Sequence, residues 1–348
     1  MTTTDPLRRR IRGSLALLLA ALAALALGAC GQTPSAASDS TAAGARQPVR
    51  IALDYTANVN YLGIYAAIAN GYFAKHGIEP QIIPYAETPA ETLIRAGKTD
   101  LGISYPPQVI ISRAQGLKYK AVAALVHGNT TALTVLSSSP ITSPAQLSGK
   151  LYGGYGISSD PPTIKAIMKS AGARNPVYRE VVLNADVVQA LAAQRIDYTS
   201  IFEGIDDVTA ELHGVHLRKF PYRNYLGAAG QYPNAVYVAS DEEIAKRGPV
   251  LRQALTALKE GYEWSAQHPA QAEQILIREN ETALGNGQAV VKATGNATAP
   301  RFVGPDGKWG AMNAADFEAL QKLLLQAGVI KHAVPAGELF TNSLVEGG

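Results

Sequence analysis

Strand-like and helix-like segments alternate along the chain from Val49 onward, and this alternation constrains the fold more than any other feature. Val49, Ile51 and Leu53 alternate with polar or small residues, which is the period of a strand. A helix is predicted to follow, from about Leu62 to Lys75. Because parallel strands require long crossover connections, the repeated pattern predicts an α/β fold with mostly parallel sheets.

Polar and aromatic side chains follow two of the predicted strands. One group occupies the loop after Leu53, and the other lies at the end of the short strand from Leu101 to Ser104. In open α/β sheets, ligands bind beyond the carboxyl ends of the strands, so we expect both groups to line one cleft. The candidate ligand-binding residues of these two groups are Asp54, Tyr55, Asn58, Asn60, Tyr61, Ser104 and Tyr105.

A glycine-rich loop supplies three further candidates. The run from Leu151 to Gly156 ends a strand, and Pro161-Pro162-Thr163 then begins a helix. Glycines let backbone N–H groups approach a ligand closely, and a helix N-terminus favours an anion or a carbonyl oxygen. The alternative is a plain tight turn. The candidates in this loop are Gly153, Gly154 and Tyr155.

Glu203 is the sharpest single candidate, because a carboxylate at a strand end is poorly placed for core packing. Tyr232 is a further candidate. Glu203 and the candidate tyrosines could together bind a ligand with a flat, nitrogen-rich ring. Aromatic faces stack on such a ring, and a carboxylate accepts hydrogen bonds from an amine or a ring N–H. The alternatives are that Glu203 caps the helix beginning near Ile205, and that any one tyrosine packs in the core.

Three helix starts are well marked. Thr88-Pro89-Ala90-Glu91 predicts a capping box with proline at the first helical position, and Ser143-Pro144-Ala145-Gln146 repeats it. Ser240-Asp241-Glu242-Glu243 predicts a third box. The first opens a helix that ends near Gly97, and the third opens a long helix toward His268.

The first 30 residues have the features of an export signal. Four arginines between positions 8 and 12 precede an apolar run from Leu15 to Ala29. Leu27-Gly28-Ala29-Cys30 resembles a lipobox, so residues 1–29 are predicted to be a lipoprotein signal peptide and Cys30 the lipidated first residue. The alternative is an uncleaved membrane anchor, for which the run is short. Residues 30–47 are predicted to form a flexible tether.

Charge and composition exclude several classes of function. The chain has 31 basic and 28 acidic residues, but without residues 1–29 the balance is 27 to 27, so we expect no nucleic-acid partner. Cys30 is the only cysteine, which excludes an internal disulfide and a thiol nucleophile in the globular part. His213 and His216 have metal-ligand spacing but no third ligand nearby, so we expect a surface turn and no metal site.

The motifs quoted above resemble those of ThiY-type solute-binding proteins, above all Leu53–Tyr61, Gly71-Tyr72-Phe73 and Gly97–Tyr105. The resemblance covers roughly residues 48–240 and is weaker beyond. It implies a two-lobed periplasmic-binding-protein fold of type II, with two crossover strands and a ligand cleft between the lobes. The expected lobe boundaries are 48–138 for the first part of lobe I, 139–233 for lobe II and 234–348 for the second part of lobe I.

The resemblance also implies a function. Such proteins bind pyrimidine precursors of thiamine, of the formylaminopyrimidine or hydroxymethylpyrimidine type, and deliver them to the permease and ATPase subunits of an ABC importer. Riboflavin is the alternative ligand. Sulfonates and nitrate fit less well, because no arginine or lysine falls among the candidate residues. Relatives often carry tryptophan at the positions of Tyr55 and Phe202, which leaves the stacking residue open.

Enzymatic activity is the rival class of function. Fungal relatives synthesise the thiamine pyrimidine with a cysteine-rich motif and an active-site histidine, and neither occurs among the candidate residues here. A sensor or adhesion lipoprotein of the same fold is a third possibility. We therefore expect a monomeric binding protein without catalytic residues or cofactor, held by lipid at the extracytoplasmic face of the cell membrane.

Overall fold

The computed structural model describes residues 45–86, 88–183 and 186–345, without the side chain of Asn286. The predicted signal peptide, Cys30 and the tether up to residue 44 lie outside the described residues. Among the described residues, no helix is both long and apolar enough to cross a membrane.

Two mixed sheets of five strands each form the framework, with strand orders β2-β1-β3-β10-β4 and β7-β6-β8-β5-β9. Parallel strands lie at one side of each sheet, and β10 and β5 run antiparallel to their neighbours. The strands are β1 (Gln47–Ala52), β2 (Ile78–Ile83), β3 (Leu101–Ser104), β4 (Tyr119–Ala124), β5 (Thr131–Leu136), β6 (Leu151–Gly154), β7 (Arg179–Val182), β8 (Tyr198–Phe202), β9 (Leu217–Pro221) and β10 (Val236–Ser240).

Helices connect the strands and form most of the chain after β10. The helices are α1 (Leu62–Ala69), α2 (Tyr72–Lys75), α3 (Ala90–Arg95), α4 (Pro106–Ala114), α5 (Asp160–Ser170), α6 (Val187–Ala192), α7 (Asp206–Leu212), α8 (Asp241–Gln267), α9 (Pro269–Glu279), α10 (Glu281–Leu284), α11 (Gln288–Thr298), α12 (Ala314–Gln326) and α13 (Ala336–Leu339).

The chain crosses between the sheets twice, after β4 and before β10. The first crossing lies ahead of the boundary expected at residue 138, because β5 hydrogen-bonds along its length to β8 and β9 of the second sheet. The strand β5, which the expected boundary assigns to lobe I, is therefore already part of the lobe II sheet. The return crossing precedes β10, which pairs with β3 and β4.

Two predictions about helices are corrected. The helix predicted over 62–75 is divided into α1 and α2, because Gly71 has a φ of 72°, a left-handed conformation that ends a helix. Thr88 does not cap α3, whose N-cap is Pro89. The Ser143 capping box is confirmed in full, with Gln146 completing it, and the Ser240 side chain accepts from the Glu243 N–H at the start of α8.

Helices α1 and α8 of lobe I pack closely against each other. A Cβ at Gly63 would lie 2.2 Å from the Tyr262 ring, and a Cβ at Gly261 would lie 2.1 Å from the Gly63 carbonyl oxygen. The Tyr262 ring in turn stacks on Trp309, with centroids 4.9 Å apart and planes 3° from parallel. Since α1 begins directly after the Asp54–Tyr61 loop, this packing holds one end of that loop in place.

Candidate ligand-binding site

Asp54 and Tyr105 meet at the carboxyl edge of the first sheet, where the sequence predicts a cleft. They follow the parallel strands β1 and β3, whose carboxyl ends share that edge. The Tyr105 hydroxyl donates to Asp54 Oδ2 at 2.5 Å, and the Tyr61 hydroxyl lies 2.9 Å from Asp54 Oδ1. Each carboxylate oxygen thus has one phenol partner.

Burial governs the electrostatics of this group. Desolvation raises the pKa of the Asp54 carboxyl, and the hydrogen bonds from Tyr105 and Tyr61 oppose that rise. Desolvation also raises the pKa of Tyr61 and of Tyr105, and the neighbouring Asp54 charge adds to both shifts. Both phenols therefore remain neutral hydrogen-bond donors at physiological pH.

In the rest of the Asp54–Tyr61 loop, some residues hold the loop in shape by hydrogen bonds and one exposes its side chain to solvent. Asn58 caps a short 3-10 turn, with its Oδ1 accepting from the Asn60 N–H at 2.9 Å. The backbone carbonyl of Asn60 accepts from the Tyr262 hydroxyl. Tyr55 has 59% of its surface exposed, and its ring lies 5.6 Å from that of Tyr85. Asn58 shapes the loop, whereas Tyr55 presents an aromatic face.

Ser104 lies under this edge and is 1% exposed. Its hydroxyl donates to Glu91 Oε1 on α3. The sequence predicts that Glu91 completes the capping box at Thr88, but its carboxylate accepts from Ser104 of β3 instead.

Phe202, from the second sheet, contacts Tyr105 at the edge of the first sheet. It ends β8, and its ring lies parallel to that of Tyr105, with centroids 6.4 Å apart and planes within 6°. Just beyond it, the Gly204 carbonyl accepts from the Thr298 hydroxyl of α11 at 3.3 Å. The last residue of β8 and the turn after it therefore each contact lobe I, through Phe202 and Gly204.

Glu203 is 8% exposed and is paired with Arg223, whose Nη1 donates to Glu203 Oε2. The same Nη1 lies 3.3 Å from the carbonyl oxygen of Asn129, at the first crossing between the sheets. The N-cap of α7 is Ile205 and no side chain caps the helix, so Glu203 is not the cap of α7. Sequence reasoning missed Arg223, because no local pattern links it to a glutamate twenty positions earlier.

Gly153 and Gly154 lie within β6. A Cβ at Gly153 would come within 2.5 Å of the Ile196 side chain, and one at Gly154 within 2.7 Å of Glu180 Oε1. Both glycines therefore allow close packing in lobe II. Tyr155, the next residue, is 56% exposed, and desolvation together with the nearby Tyr55 hydroxyl raises its pKa to about 12. Of the three, Tyr155 is the one whose side chain is exposed.

Asp160, at the first position of α5, is a partly buried carboxylate that sequence reasoning missed. The Tyr152 hydroxyl lies 3.1 Å from Asp160 Oδ2 and 3.0 Å from Ser200 Oγ, and Ser200 Oγ lies 2.9 Å from the Tyr222 hydroxyl. Desolvation, with a contribution from the Glu180 charge, raises the pKa of Asp160 to about 7. The only available signal was its position before Pro161-Pro162 at a predicted helix start.

Tyr232 is 6% exposed and lies at the return crossing. Desolvation raises its pKa to about 12, Asn129 opposes the rise, and the Asp160 charge adds to it. Tyr232 therefore adjoins the Asn129 side chain at the first crossing.

The histidines at 213 and 216 lie in an exposed turn. His213 Nδ1 contacts the Thr209 carbonyl, and His216 Nδ1 contacts Glu211 Oε2. Within the described part of the chain, no group of three or more potential ligands is arranged to hold a metal ion.

The chain is similar in sequence to several known proteins and similar in fold to several solved structures. A formylaminopyrimidine-binding protein of Halalkalibacterium halodurans is 27% identical over 334 residues, covering 92% of this chain and 96% of that protein. A 4-amino-5-hydroxymethyl-2-methylpyrimidine phosphate synthase of Uromyces fabae is 29% identical over 165 residues, covering 47% of this chain and 48% of that protein.

The alkanesulfonate-binding protein SsuA of Xanthomonas axonopodis, solved with MOPS bound, superimposes with a TM-score of 0.64 at 17% identity, covering 84% of this chain and 98% of that one. The type II periplasmic-binding-protein fold implied by the sequence is therefore confirmed. The family model described as NMT1/THI5 like matches residues 58–272. The match spans more than half of the chain, which therefore belongs to the NMT1/THI5-like family.

Proposed function

We propose that this protein is the substrate-binding component of an ABC importer and captures a pyrimidine precursor of thiamine, of the formylaminopyrimidine or hydroxymethylpyrimidine type. The observation that carries the proposal is the parallel pair of Tyr105 and Phe202 beside the partly buried carboxylate of Asp54. The similarity over nearly its whole length to a protein named for binding formylaminopyrimidine supports the same ligand class.

The aromatic pair suits a flat ligand. Stacked carbon atoms approach to about 3.5 Å, so a ring inserted between two others needs about 7 Å between the outer planes. The centroids of Tyr105 and Phe202 are 6.4 Å apart, so the gap between the planes is no larger than that. A slight separation of the lobes, of about 0.6 Å or more, would admit one ring.

Asp54 suits the amino group of such a ring. A carboxylate has about four lone-pair sites, and the hydroxyls of Tyr61 and Tyr105 use two of them. The remaining sites can accept from an exocyclic amine or a ring N–H of a ligand stacked on Tyr105. A charge-assisted hydrogen bond to a carboxylate shielded in part from water gives both affinity and orientation.

Closure of the lobes around the ligand is the proposed mechanism. Movement would take place at the two crossings, where Asn234 contacts the chain near Gly128 and Thr131. A ligand that contacts both Tyr105 and Phe202 favours the closed arrangement, because only there does it gain both stacking partners. The closed form would then be recognised by the permease and ATPase subunits of the importer.

Riboflavin remains the second candidate, and the exposed tyrosines favour it. Tyr55 and Tyr85 follow β1 and β2 of the first sheet and Tyr155 follows β6 of the second, so together with Tyr105 the strand ends offer more aromatic surface than one pyrimidine ring needs. Binding without catalysis is proposed for either ligand. The fungal synthase matches less than half of the chain, and after Cys30 the chain has no cysteine.

Attachment to the extracytoplasmic face of the cell membrane through lipidated Cys30 is proposed with this function. A diacylated cysteine supplies the two chains that stable anchoring requires. The receptor would act there as a monomer, tethered within reach of its permease.

Thermal unfolding of the purified protein against a ligand panel tests the proposal. The panel contains thiamine, its pyrimidine precursors, riboflavin, taurine and nitrate. A ligand at 100 times its dissociation constant stabilises the folded state by about 2.7 kcal/mol. A shift with a pyrimidine is the expected result. A shift with riboflavin alone would replace the ligand, and a shift with taurine or nitrate alone would contradict the proposal.

A further inference from the structure

The turn between β8 and α7 of lobe II contacts lobe I through three of its residues. The Phe202 ring lies parallel to that of Tyr105, and the Gly204 carbonyl accepts from the Thr298 hydroxyl. The Ile205 side chain packs against the hydrophobic core of lobe I. The turn that carries the proposed stacking residue therefore also joins the two lobes.

Hydrogen bonds within lobe II hold this turn in one shape. The Asp206 carboxylate accepts from the Phe202 N–H at 2.7 Å, and the Asp207 carboxylate accepts from the Gly204 N–H at 2.6 Å. Hydrogen bonds to an ionised acceptor are among the stronger ones in proteins. Because the backbone is held on both sides of Glu203, a contact that fixes Gly204 also fixes the position of Phe202.

Thr298 is the lobe I partner of this turn. It is the last residue of α11, is 3% exposed, and its Oγ1 lies 3.3 Å from the Gly204 carbonyl oxygen. The backbones also approach closely, since a Cβ at Gly204 would lie 3.6 Å from the Ala297 carbonyl oxygen. A helical threonine can bond to the carbonyl four residues earlier, as Thr294 does with Val290 at 2.7 Å. The Thr298 hydroxyl donates to the other lobe instead, so its hydrogen bond requires the lobes to be together.

Helix α11 connects this contact to the ligand-binding loop. It packs on α7 of lobe II and on the short 3-10 turn at Val59–Tyr61 of lobe I. The hydroxyl of Tyr61 in that turn lies 2.9 Å from Asp54 Oδ1. The helix that carries Thr298 therefore lies against the loop that holds the proposed ligand-binding carboxylate.

We infer that Thr298 is a positioning residue for ligand binding, which holds Phe202 opposite Tyr105 through the Gly204 carbonyl and does not itself contact the ligand. This inference rests on the proposed function. When the lobes separate, the Gly204 carbonyl leaves Thr298, so the hydrogen bond stabilises the closed arrangement alone. A contact made only in the closed arrangement raises the population of that arrangement and with it the apparent affinity for the ligand.

The test measures binding of 4-amino-5-hydroxymethyl-2-methylpyrimidine to the wild type, Thr298→Val and Thr298→Ser. Valine has nearly the shape of threonine but no hydroxyl, so we expect the dissociation constant from titration calorimetry to rise about two- to tenfold. Stopped-flow measurements should assign most of this change to faster dissociation of the ligand. Thr298→Ser keeps the hydroxyl and should retain most of the wild-type affinity.

Thr294→Val is the matched control. Thr294 lies in the same helix and is 0% exposed, but its hydroxyl bonds to the Val290 carbonyl within α11. The same loss of a buried hydroxyl should therefore leave the dissociation constant unchanged. If Thr298→Val does not fold, Thr298→Ala, which also lacks the hydroxyl, takes its place.

A double-mutant cycle with Phe202→Ala separates positioning of the ring from a general effect on the protein. Without the ring, Thr298 has nothing to position, so Thr298→Val should leave the dissociation constant of Phe202→Ala nearly unchanged. Wild-type affinity in Thr298→Val, or an equal loss of affinity in both backgrounds, would overturn the inference while leaving the proposed function intact. Failure of the wild type to bind the pyrimidine would contradict the proposed function, and the inference with it.

Discussion

The rings of Tyr105 and Phe202 lie parallel within 6°, with centroids 6.4 Å apart, although the two residues belong to different sheets. The Tyr105 hydroxyl is held by Asp54, and the backbone of Phe202 is held by the Asp206 carboxylate, which accepts its N–H at 2.7 Å. Both aromatic side chains are thus positioned by a carboxylate of their own lobe. The pair joins the lobes at the place where we propose that a ligand ring is inserted.

Replacement of Phe202 by alanine tests this stacking role. Loss of one aromatic face is expected to weaken ligand binding by roughly 1–3 kcal/mol, as measured by titration calorimetry with the best ligand of the panel. Phe202→Tyr is the matched control and should retain most of the affinity, because it keeps the aromatic face. Equal affinity of Phe202→Ala and the wild type would remove Phe202 from the site.

Replacement of Arg223 by alanine tests the pair with Glu203. Glu203 is 8% exposed and would be left as a buried charge without its partner. We expect the free energy of unfolding to fall by roughly 2 kcal/mol, a value reduced from that of a fully buried pair because the Arg223 side chain is 36% exposed. Urea denaturation of the ligand-free protein measures the change.

Glu203→Gln combined with Arg223→Ala is the control for that experiment. The neutral amide needs no counter-charge, so the double variant should recover part of the lost stability. A double variant as unstable as the sum of the two single ones would show that the ion pair contributes nothing.

Asp160→Asn should stabilise the ligand-free protein at neutral and alkaline pH. Burial raises the pKa of Asp160 to about 7, above the value of roughly 4 for an unfolded chain, so the folded state binds this proton more tightly. The wild type therefore loses stability as the pH rises from about 4 to 7 through this group. The advantage of the variant should grow by roughly 1–3 kcal/mol between pH 5 and pH 8.

Thermal unfolding of both proteins at several pH values measures this difference. Because Asp54 and Asp206 are the same in both proteins, their own titrations cancel to first order in the comparison. A constant difference across the pH range would mean that Asp160 does not titrate there.

Gly63→Ala should destabilise the protein severely. The new methyl group would lie 2.2 Å from the Tyr262 ring, between the closely packed α1 and α8. Overpacking of this kind is expected to cost roughly 3 kcal/mol of unfolding free energy, measured by urea denaturation. Gly337→Ala is the control, because a Cβ there meets no atom within 4 Å, and it should leave stability unchanged or slightly improved.

Cys30→Ser should release the protein from the membrane into the soluble extracytoplasmic fraction. The serine cannot receive the lipid, so neither acyl chain is present to hold the protein. Fractionation of cells followed by immunoblotting measures the distribution. Persistent association with the membrane after extraction at high salt would indicate an uncleaved anchor formed by the apolar run before Cys30.

The predictions that were confirmed depend on neighbours in the sequence. The alternation of Val49, Ile51 and Leu53 predicts a strand, and the Ser143 capping box is complete within four residues. The Thr88 box has equally good spacing and does not form, because Glu91 is drawn to Ser104 on an adjacent strand. A local pattern is therefore reliable only where no tertiary contact competes for the same side chain.

The sequence by itself determined the α/β class, the polar loops at the carboxyl ends of β1 and β3, and hence the meeting of Asp54 with Tyr105. Parallel strands in one sheet bring those ends together whatever the rest of the chain does. Only the tertiary structure decided that Phe202 lies opposite Tyr105, that Arg223 pairs with Glu203, and that Asp160 accepts from the Tyr152 hydroxyl. These contacts depend on how one lobe packs internally and against the other, and periodicity in the sequence specifies which face of an element is buried but not what it will touch.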